Sequence, residues 1–159
     1  MDAVARPRVA GRVLLIDDAC RVLLIENNVD VGAQATHWIT PGGGTDPGET
    51  PAAAAARELY EELGVRADLA TDAVPDHTDR ERFTFNGATY DQTNHYFVVR
   101  VAPGTPVAAR GADDIERSVL IGERWWTLAE LRGSHAVIYP AGLADLVTRL
   151  CCDQPAPSA

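Results

Sequence analysis

The chain has 159 residues, 46% of them apolar and 23% charged, with a formal net charge of −9. That length suits one domain with a substantial core, and the acidic balance leaves no basic footprint for nonspecific nucleic-acid binding. All 14 basic residues are arginine, which excludes lysine-based covalent chemistry, and Cys20, Cys151 and Cys152 are too few and too badly spaced for a disulfide scaffold.

Residues 8 to 17 and 21 to 26 are rich in Val, Leu and Ile and read as strands joined by a short turn at Asp17–Cys20. A polar loop over 27 to 36 leads to a short strand at His37-Trp38-Ile39, followed by Pro41 and three glycines, Gly42 to Gly44. The composition of 51 to 63 predicts a helix. Thr50 is a suitable cap, Pro51 suits the first turn, and Ala52 to Ala56 are strong helix formers. Gly64 then supplies the stop. Beyond it, Glu81–Phe85 and Ala88–Tyr90 flank Asn86-Gly87, a strong hairpin signal, and Thr93–Val101 reads as a long strand. Pro103–Asp114 is a loop. Val119–Ile121 and Arg124–Trp126 look extended, Leu128–Leu131 begins a short helix, and Pro140–Leu150 is the last helix. Residues 153 to 159 are expected to be a disordered tail.

The helix over 51 to 63 carries the most informative residues. Glu58 and Glu62 lie four apart, and Glu58 and Glu61 three apart, so their carboxylates project from one side and repel one another. Ala55, Ala56, Leu59 and Leu63 fall on the other side and can be buried. Hard divalent cations with oxygen ligands relieve such crowding, and magnesium characteristically takes a few carboxylates plus substrate phosphates and water. Arg57 has a natural partner in Glu49, which would tie loop to helix. A solvated acidic helix face is the bland alternative.

Gly43, Glu49, Arg57-Glu58-Leu59, Glu61-Glu62 and Gly64-Val65 together fill the pattern G-x5-E-x7-R-E-U-x-E-E-x-G-U, with U apolar. By this motif the chain resembles the Nudix (MutT-type) hydrolases. The resemblance implies an α/β fold, a mixed β-sheet sandwiched between helices (α/β/α), as a single domain over 1 to 152. It implies magnesium, with manganese as a substitute, held by Glu58, Glu61, Glu62 and the main-chain carbonyl of Gly43. Catalytic candidates are Glu58, Glu61, Glu62 and Glu116. The last is drawn from the acidic loop with Asp113 and Asp114, because some relatives take a glutamate from such a loop. Glu49 and Arg57 are expected to orient the site.

For the substrate, an arginine near the end of the second strand is common in relatives, whereas this chain has Glu26-Asn27-Asn28 there. Phosphate contact would then fall to Arg21, Arg80, Arg82 or Arg100. Arg21, Trp38, Arg82 and Tyr96 are the substrate-binding candidates, the aromatic residues as stacking platforms. Trp125 and Trp126 are adjacent on an extended segment and point to opposite faces, one of them into the core.

The expected activity is hydrolysis of the pyrophosphate bond in a nucleoside diphosphate linked to another moiety. The partner is thus a small molecule, not a nucleic-acid polymer or a membrane, and a homodimer is compatible with this. The N-terminus shows no signal peptide and no apolar run approaches membrane-spanning length, so a cytoplasmic location is expected. Two alternatives stay open: a non-catalytic nucleotide-binding sensor on the same fold, and a prenyl-diphosphate isomerase-like protein.

Overall fold

A computed structural model describes residues 4–27, 36–108 and 120–152. Asp113, Asp114, Glu116 and the tail at 153–159 lie outside the described residues. In chain order the elements are β1 (Arg6–Asp17), β2 (Val22–Asn27), β3 (His37–Ile39), β4 (Gly42–Gly44), α1 (Pro51–Leu63), β5 (His77–Phe85) and β6 (Ala88–Val101). There follow β7 (Leu120–Trp126), α2 (Leu128–Gly133), β8 (Ile138–Tyr139), α3 (Leu143–Val147) and a π-helical turn, Thr148–Cys152. Two compact units divide these elements.

The first unit holds β1 as far as Val13, together with Pro41–Phe97 and the chain from Pro106. Here β6 lies between β5 and β1, and β4 pairs antiparallel with β1 in the register Ala10↔Gly44, Gly11↔Gly43, Arg12↔Gly42. The expected glycine loop is therefore a strand. Glycines have low strand propensity, but without side chains they approach β1 and α1 closely. The hairpin is longer than expected, with uninterrupted pairing from Phe85↔Ala88 to His77↔Tyr96. Ala88–Tyr90 and Thr93–Val101 are thus one strand, because Asp91 and Gln92, polar as they are, have cross-strand partners in Arg82 and Glu81.

Helix α1 forms where its sequence says it should. The Thr50 side chain accepts from the Ala53 amide at 3.2 Å, and Gly64 closes the helix in the left-handed conformation at φ 67°. Ala52, Ala54, Ala55, Leu59 and Leu63 are buried; Ala56, expected among them, is only half-buried. Leu59 is fully enclosed, and its truncation to alanine would cost about 2–5 kcal/mol. The helix meets β1 at Gly11, where a Cβ would strike the Pro51 carbonyl oxygen and stand 2.7 Å from the Ala55 nitrogen.

The second unit holds Leu14–Thr40, Val98–Thr105 and the chain from β7 onward. The end of β1 pairs with β2 at Ile16↔Val22, β2 pairs with β3 and with β7, and β3 pairs in parallel with β8. Leu14–Ile16, Val22–Ile25, Trp126 and Leu131 are buried, with Leu143, Leu146 and Val147 from α3. Trp126 is thus the core member of the tryptophan pair, and Trp125 is half-buried. The last helix is shorter than Pro140–Leu150. Gly142 is left-handed at φ 72°, so α3 starts only after it, and Tyr139 before the proline belongs to β8.

Two of the cysteines differ in state. Cys20, in the β1–β2 turn, is disulfide-bonded, whereas Cys151 is a free, buried thiol. A count of three argues against a scaffold of several bridges but says nothing against a single one. No helix among the described residues is long and apolar enough to cross a membrane.

Candidate active site

The first unit gathers the carboxylates of α1 around one guanidinium. Arg57 donates from Nε to Glu49 Oε2 and from Nη2 to Glu49 Oε1, both at 2.9 Å. Its Nη1 donates to Glu58 Oε1 at 2.9 Å and to Glu61 Oε2 at 3.3 Å. Nη2 also reaches the Gly44 carbonyl at 3.2 Å. One arginine therefore joins the β4 backbone, the following loop and two of the three clustered glutamates. The Glu49 hydrogen bonds are the first cause holding the Arg57 pKa above its ordinary value, and Glu58 reinforces them. In return, Arg57 pulls the Glu49 carboxyl below the usual range, while burial acts the other way.

Glu62 faces the strand instead, its Oε2 accepting from the Gly42 amide at 3.0 Å. Between them sits Gly43, at which a Cβ would collide with Glu58 Oε1 and stand 2.7 Å from its carboxyl carbon. Only a bare backbone lets β4 lie this close to Glu58. Gly43, Glu58, Glu61 and Glu62 are thus brought together, with Glu49 and Arg57 beside them. As these side chains stand, no three acidic, histidine or cysteine groups among the described residues converge tightly enough to hold an ion. Glu58 and Glu61 are turned to Arg57, and Glu62 to the Gly42 amide.

Two arginines that composition alone did not single out pack against β4. Arg8 is exposed as a residue, yet its guanidinium lies against β4, where a Cβ on Gly44 would stand 2.8 Å from its Nη2. It also lies 6.0 Å from the centre of the Tyr90 ring. Burial of that end lowers its pKa first and the Arg12 charge adds to this, whereas Tyr90 and the Glu58 carboxylate raise it. Among the described residues Arg8 has no carboxylate partner at salt-bridge distance, while Arg12 donates to the Gly42 carbonyl at 3.1 Å.

A family model of the NUDIX domain matches residues 6–146. The chain belongs to the Nudix family. It is 35% identical over 107 residues to an RNA pyrophosphohydrolase of Helicobacter pylori, covering 60% of this chain and 63% of that protein. Over 32 residues, 20% of this chain and 18% of the relative, it is 62% identical to diphosphoinositol polyphosphate phosphohydrolase 2 of Rattus norvegicus. The chain therefore spans less than two thirds of either relative. Its fold matches the crystal structure of a MutT protein from Methanosarcina mazei Go1 with a TM-score of 0.60 at 19% identity, over 94% of this chain and 96% of that one. The α/β fold of Nudix type expected from the sequence is borne out.

The remaining residues proposed for this Nudix site have the following surroundings. Arg21 belongs to the second unit, where it pairs with the buried Asp17 at 2.6 Å and lies over Trp125. Asp17 also accepts from the Ala19 and Arg21 amides, so this arginine closes a turn. Trp38, in the same unit, packs edge-on against Trp126 with centroids 5.2 Å apart. Arg80 pairs with Asp91 at 2.7 Å, and Arg100 donates to the Cys151 carbonyl at 2.8 Å. Arg82 is exposed in β5, one step out of phase with the inward residues Glu81 and Phe83. Tyr96 is buried in the first unit, its hydroxyl pKa raised by burial first and then by Asp79. Sequence reasoning passed over Arg8 and Arg12. Their spacing of four would put them on the same face of a strand, a signal that β1 contained.

Proposed function

We propose that this Nudix protein is a metal-dependent hydrolase of the pyrophosphate linkage in a nucleoside diphosphate joined to another moiety, acting as one domain over residues 1 to 152. The observation that carries this is the carboxylate cluster itself. Glu58 lies against a backbone strand that is bare of side chains at Gly43, Glu62 accepts from the Gly42 amide of the same strand, and a single arginine ties Glu58 and Glu61 to Glu49. Relatives named for pyrophosphohydrolase and diphosphoinositol polyphosphate phosphohydrolase activity support a phosphoanhydride as the bond attacked.

Nudix hydrolases generally use a divalent metal, and the donors here fit magnesium, with manganese as a substitute. Three carboxylates and the Gly43 carbonyl offer only hard oxygen ligands. When bound, the ion neutralises phosphate charge and lowers the pKa of water. Arg57 keeps α1 fastened to the loop through Glu49, so the carboxylates are presented in a fixed order. Arg8 would hold a phosphate of the substrate, because its guanidinium lies against Gly44 of β4 and, among the described residues, has no carboxylate at salt-bridge distance.

Water adds to one phosphorus as the bridging P–O bond breaks. Its proton passes to a carboxylate, for which Glu116 is the first candidate and Glu61 the second. The products are a nucleoside monophosphate and the phosphorylated second moiety. No enzyme nucleophile takes part. The test is a panel of nucleoside diphosphate derivatives with magnesium chloride, scored for those two products, with and without excess chelator. Turnover that survives excess chelator, or release of phosphate from monoesters alone, would overturn the proposal.

A further inference from the structure

The cysteines of the second unit have no part in the reaction proposed above. The sequence holds three of them. Cys20 is disulfide-bonded and Cys151 is a buried free thiol, so within one chain only Cys152 is left as the partner of Cys20. Both belong to the second unit. Cys20 lies in the turn between β1 and β2, and Cys152 is the last residue of the π-helical turn.

The β1–β2 turn closes without help from the bond. The Asp17 carboxylate accepts from the Ala19 and Arg21 amides at 3.0 and 2.9 Å and pairs with the Arg21 guanidinium at 2.6 Å. The Cys20 amide donates to the Asp17 carbonyl at 3.0 Å. Cys20 itself is left-handed at φ 57°, a conformation that glycine or asparagine ordinarily takes. A side chain is kept there at a conformational cost, which points to a use for its sulfur. The C-terminal turn is likewise held by other means. Arg100 donates to the Cys151 carbonyl and Thr148 Oγ1 to the Ala144 carbonyl, both at 2.8 Å, and Leu146 and Val147 are buried just ahead. Each turn therefore keeps its shape when the bridge is gone.

We propose that Cys20 and Cys152 form a reversible redox latch, which fastens the C-terminal turn to the β1–β2 turn and is released by a dithiol reductant. Cys20 is only half-buried, so a reductant reaches its sulfur, whereas Cys151 is 5% exposed and stays out of the exchange. A thiolate of the reductant attacks one sulfur, the S–S bond breaks, and a mixed disulfide forms. The second thiol of the reductant then displaces the protein sulfur. Two electrons and two protons have passed to the protein, which now carries two thiols, and the reductant leaves as its own disulfide. The bridge encloses the chain from residue 20 to 152, and a cross-link across so long a loop restricts the unfolded state strongly. Opening the latch therefore lowers stability without dismantling either turn. None of this depends on the reaction assigned to the first unit.

Trypsin cuts after Arg12, Arg21 and Arg149, which isolates Cys20 on the peptide Val13–Arg21 and puts Cys151 and Cys152 on the peptide beginning at Leu150. Wild-type protein alkylated in denaturant without reductant should yield these two peptides joined, with the alkyl group on Cys151. Excess dithiothreitol should lower the melting temperature of the native protein by about 5–15 °C and leave its circular dichroism at room temperature unchanged. Oxidised glutathione should restore the original melting temperature. Cys152→Ser should melt like the reduced wild type in either condition, whereas Cys151→Ser should retain the response to reductant. Peptides that are not joined, an alkyl group on Cys152, or a Cys152→Ser variant that melts like the oxidised wild type would overturn the pairing. A bridge that dithiothreitol leaves intact in the folded protein, or a loss of structure on reduction that oxidised glutathione does not reverse, would overturn the latch.

Discussion

Arg57 and Glu49 face each other through two parallel N–H···O bonds of 2.9 Å, with side-chain exposures of 30% and 15%. The pair is bidentate and largely shielded, so it belongs with the stronger class of charged hydrogen bonds. Removing one member leaves the other partly buried and alone. Arg57→Ala should therefore cost about 1–3 kcal/mol, lowering the melting temperature by about 2–12 °C. Turnover should fall with it, since Glu58 and Glu61 lose the same anchor. Arg57→Lys should recover little, because an ammonium cannot reproduce the fork. Unchanged melting in Arg57→Ala would show the clamp to be dispensable.

The same pair predicts an acid dependence. Glu49 has a folded-state pKa below its ordinary value of 4.5, so the stability it contributes is complete above that value. It is lost as pH falls through the folded pKa, with no effect on the alkaline side. Melting curves of wild type and Glu49→Gln should differ by a constant amount from pH 6 to 8, and the gap should narrow as the pH falls below the ordinary value of 4.5. A gap that does not narrow on acidification would mean that Glu49 acts by packing alone.

Glu61→Gln and Glu62→Gln should each remove most turnover while leaving the fold intact, as glutamine keeps the shape and loses the charge. Calorimetric titration with magnesium chloride should show weaker binding in both. Glu62→Gln can still offer its amide oxygen to the Gly42 amide, so its melting temperature should stay close to that of the wild type. Near-normal activity in either variant would move the metal away from α1.

Arg8→Ala should raise KM by about tenfold to a hundredfold, the usual value of a charged hydrogen bond to phosphate, and it should do so for every substrate in the panel. Arg82→Ala should stay within about twofold, because Arg82 points away from the inward face of β5. Equal effects from the two would mean that neither arginine reads phosphate specifically.

Glu116→Gln should lower turnover by about two to four orders of magnitude if that carboxylate takes the proton of the attacking water, with little change in magnesium affinity. A loss below about tenfold transfers the role to Glu61, whose carboxylate already lies in the cluster.

Much of the site was legible because its signals are local. Thr50, Pro51, the alanine run and Gly64 sit at the ends and centre of one helix, and the three glutamates share a side by spacing alone. Asn86-Gly87 marked its turn for the same reason. What escaped depends on distant partners. Gly42–Gly44 has no strand propensity and becomes a strand only because Ala10–Arg12, some thirty residues earlier, accepts it. The short strand Ile138–Tyr139 exists only against β3. Arg21 looked available for phosphate, but Asp17 four residues before it is buried and needs a cation. Arg8 was passed over because only the pairing of β4 with β1 brings it against Gly44.

The contact between Gly11 and the start of α1 has a mechanical consequence. Backbone there meets backbone, with nothing compressible between the strand and the Pro51 carbonyl. Side-chain packing tolerates small slides, since methyl groups can re-seat, but a main-chain stop sets a hard lower limit on separation. The helix is indexed against the sheet at its first turn, seven residues ahead of Glu58. Any insertion, even a single methyl at Gly11, would tilt the whole row of carboxylates as a lever does about a fulcrum, while leaving each of those side chains chemically untouched.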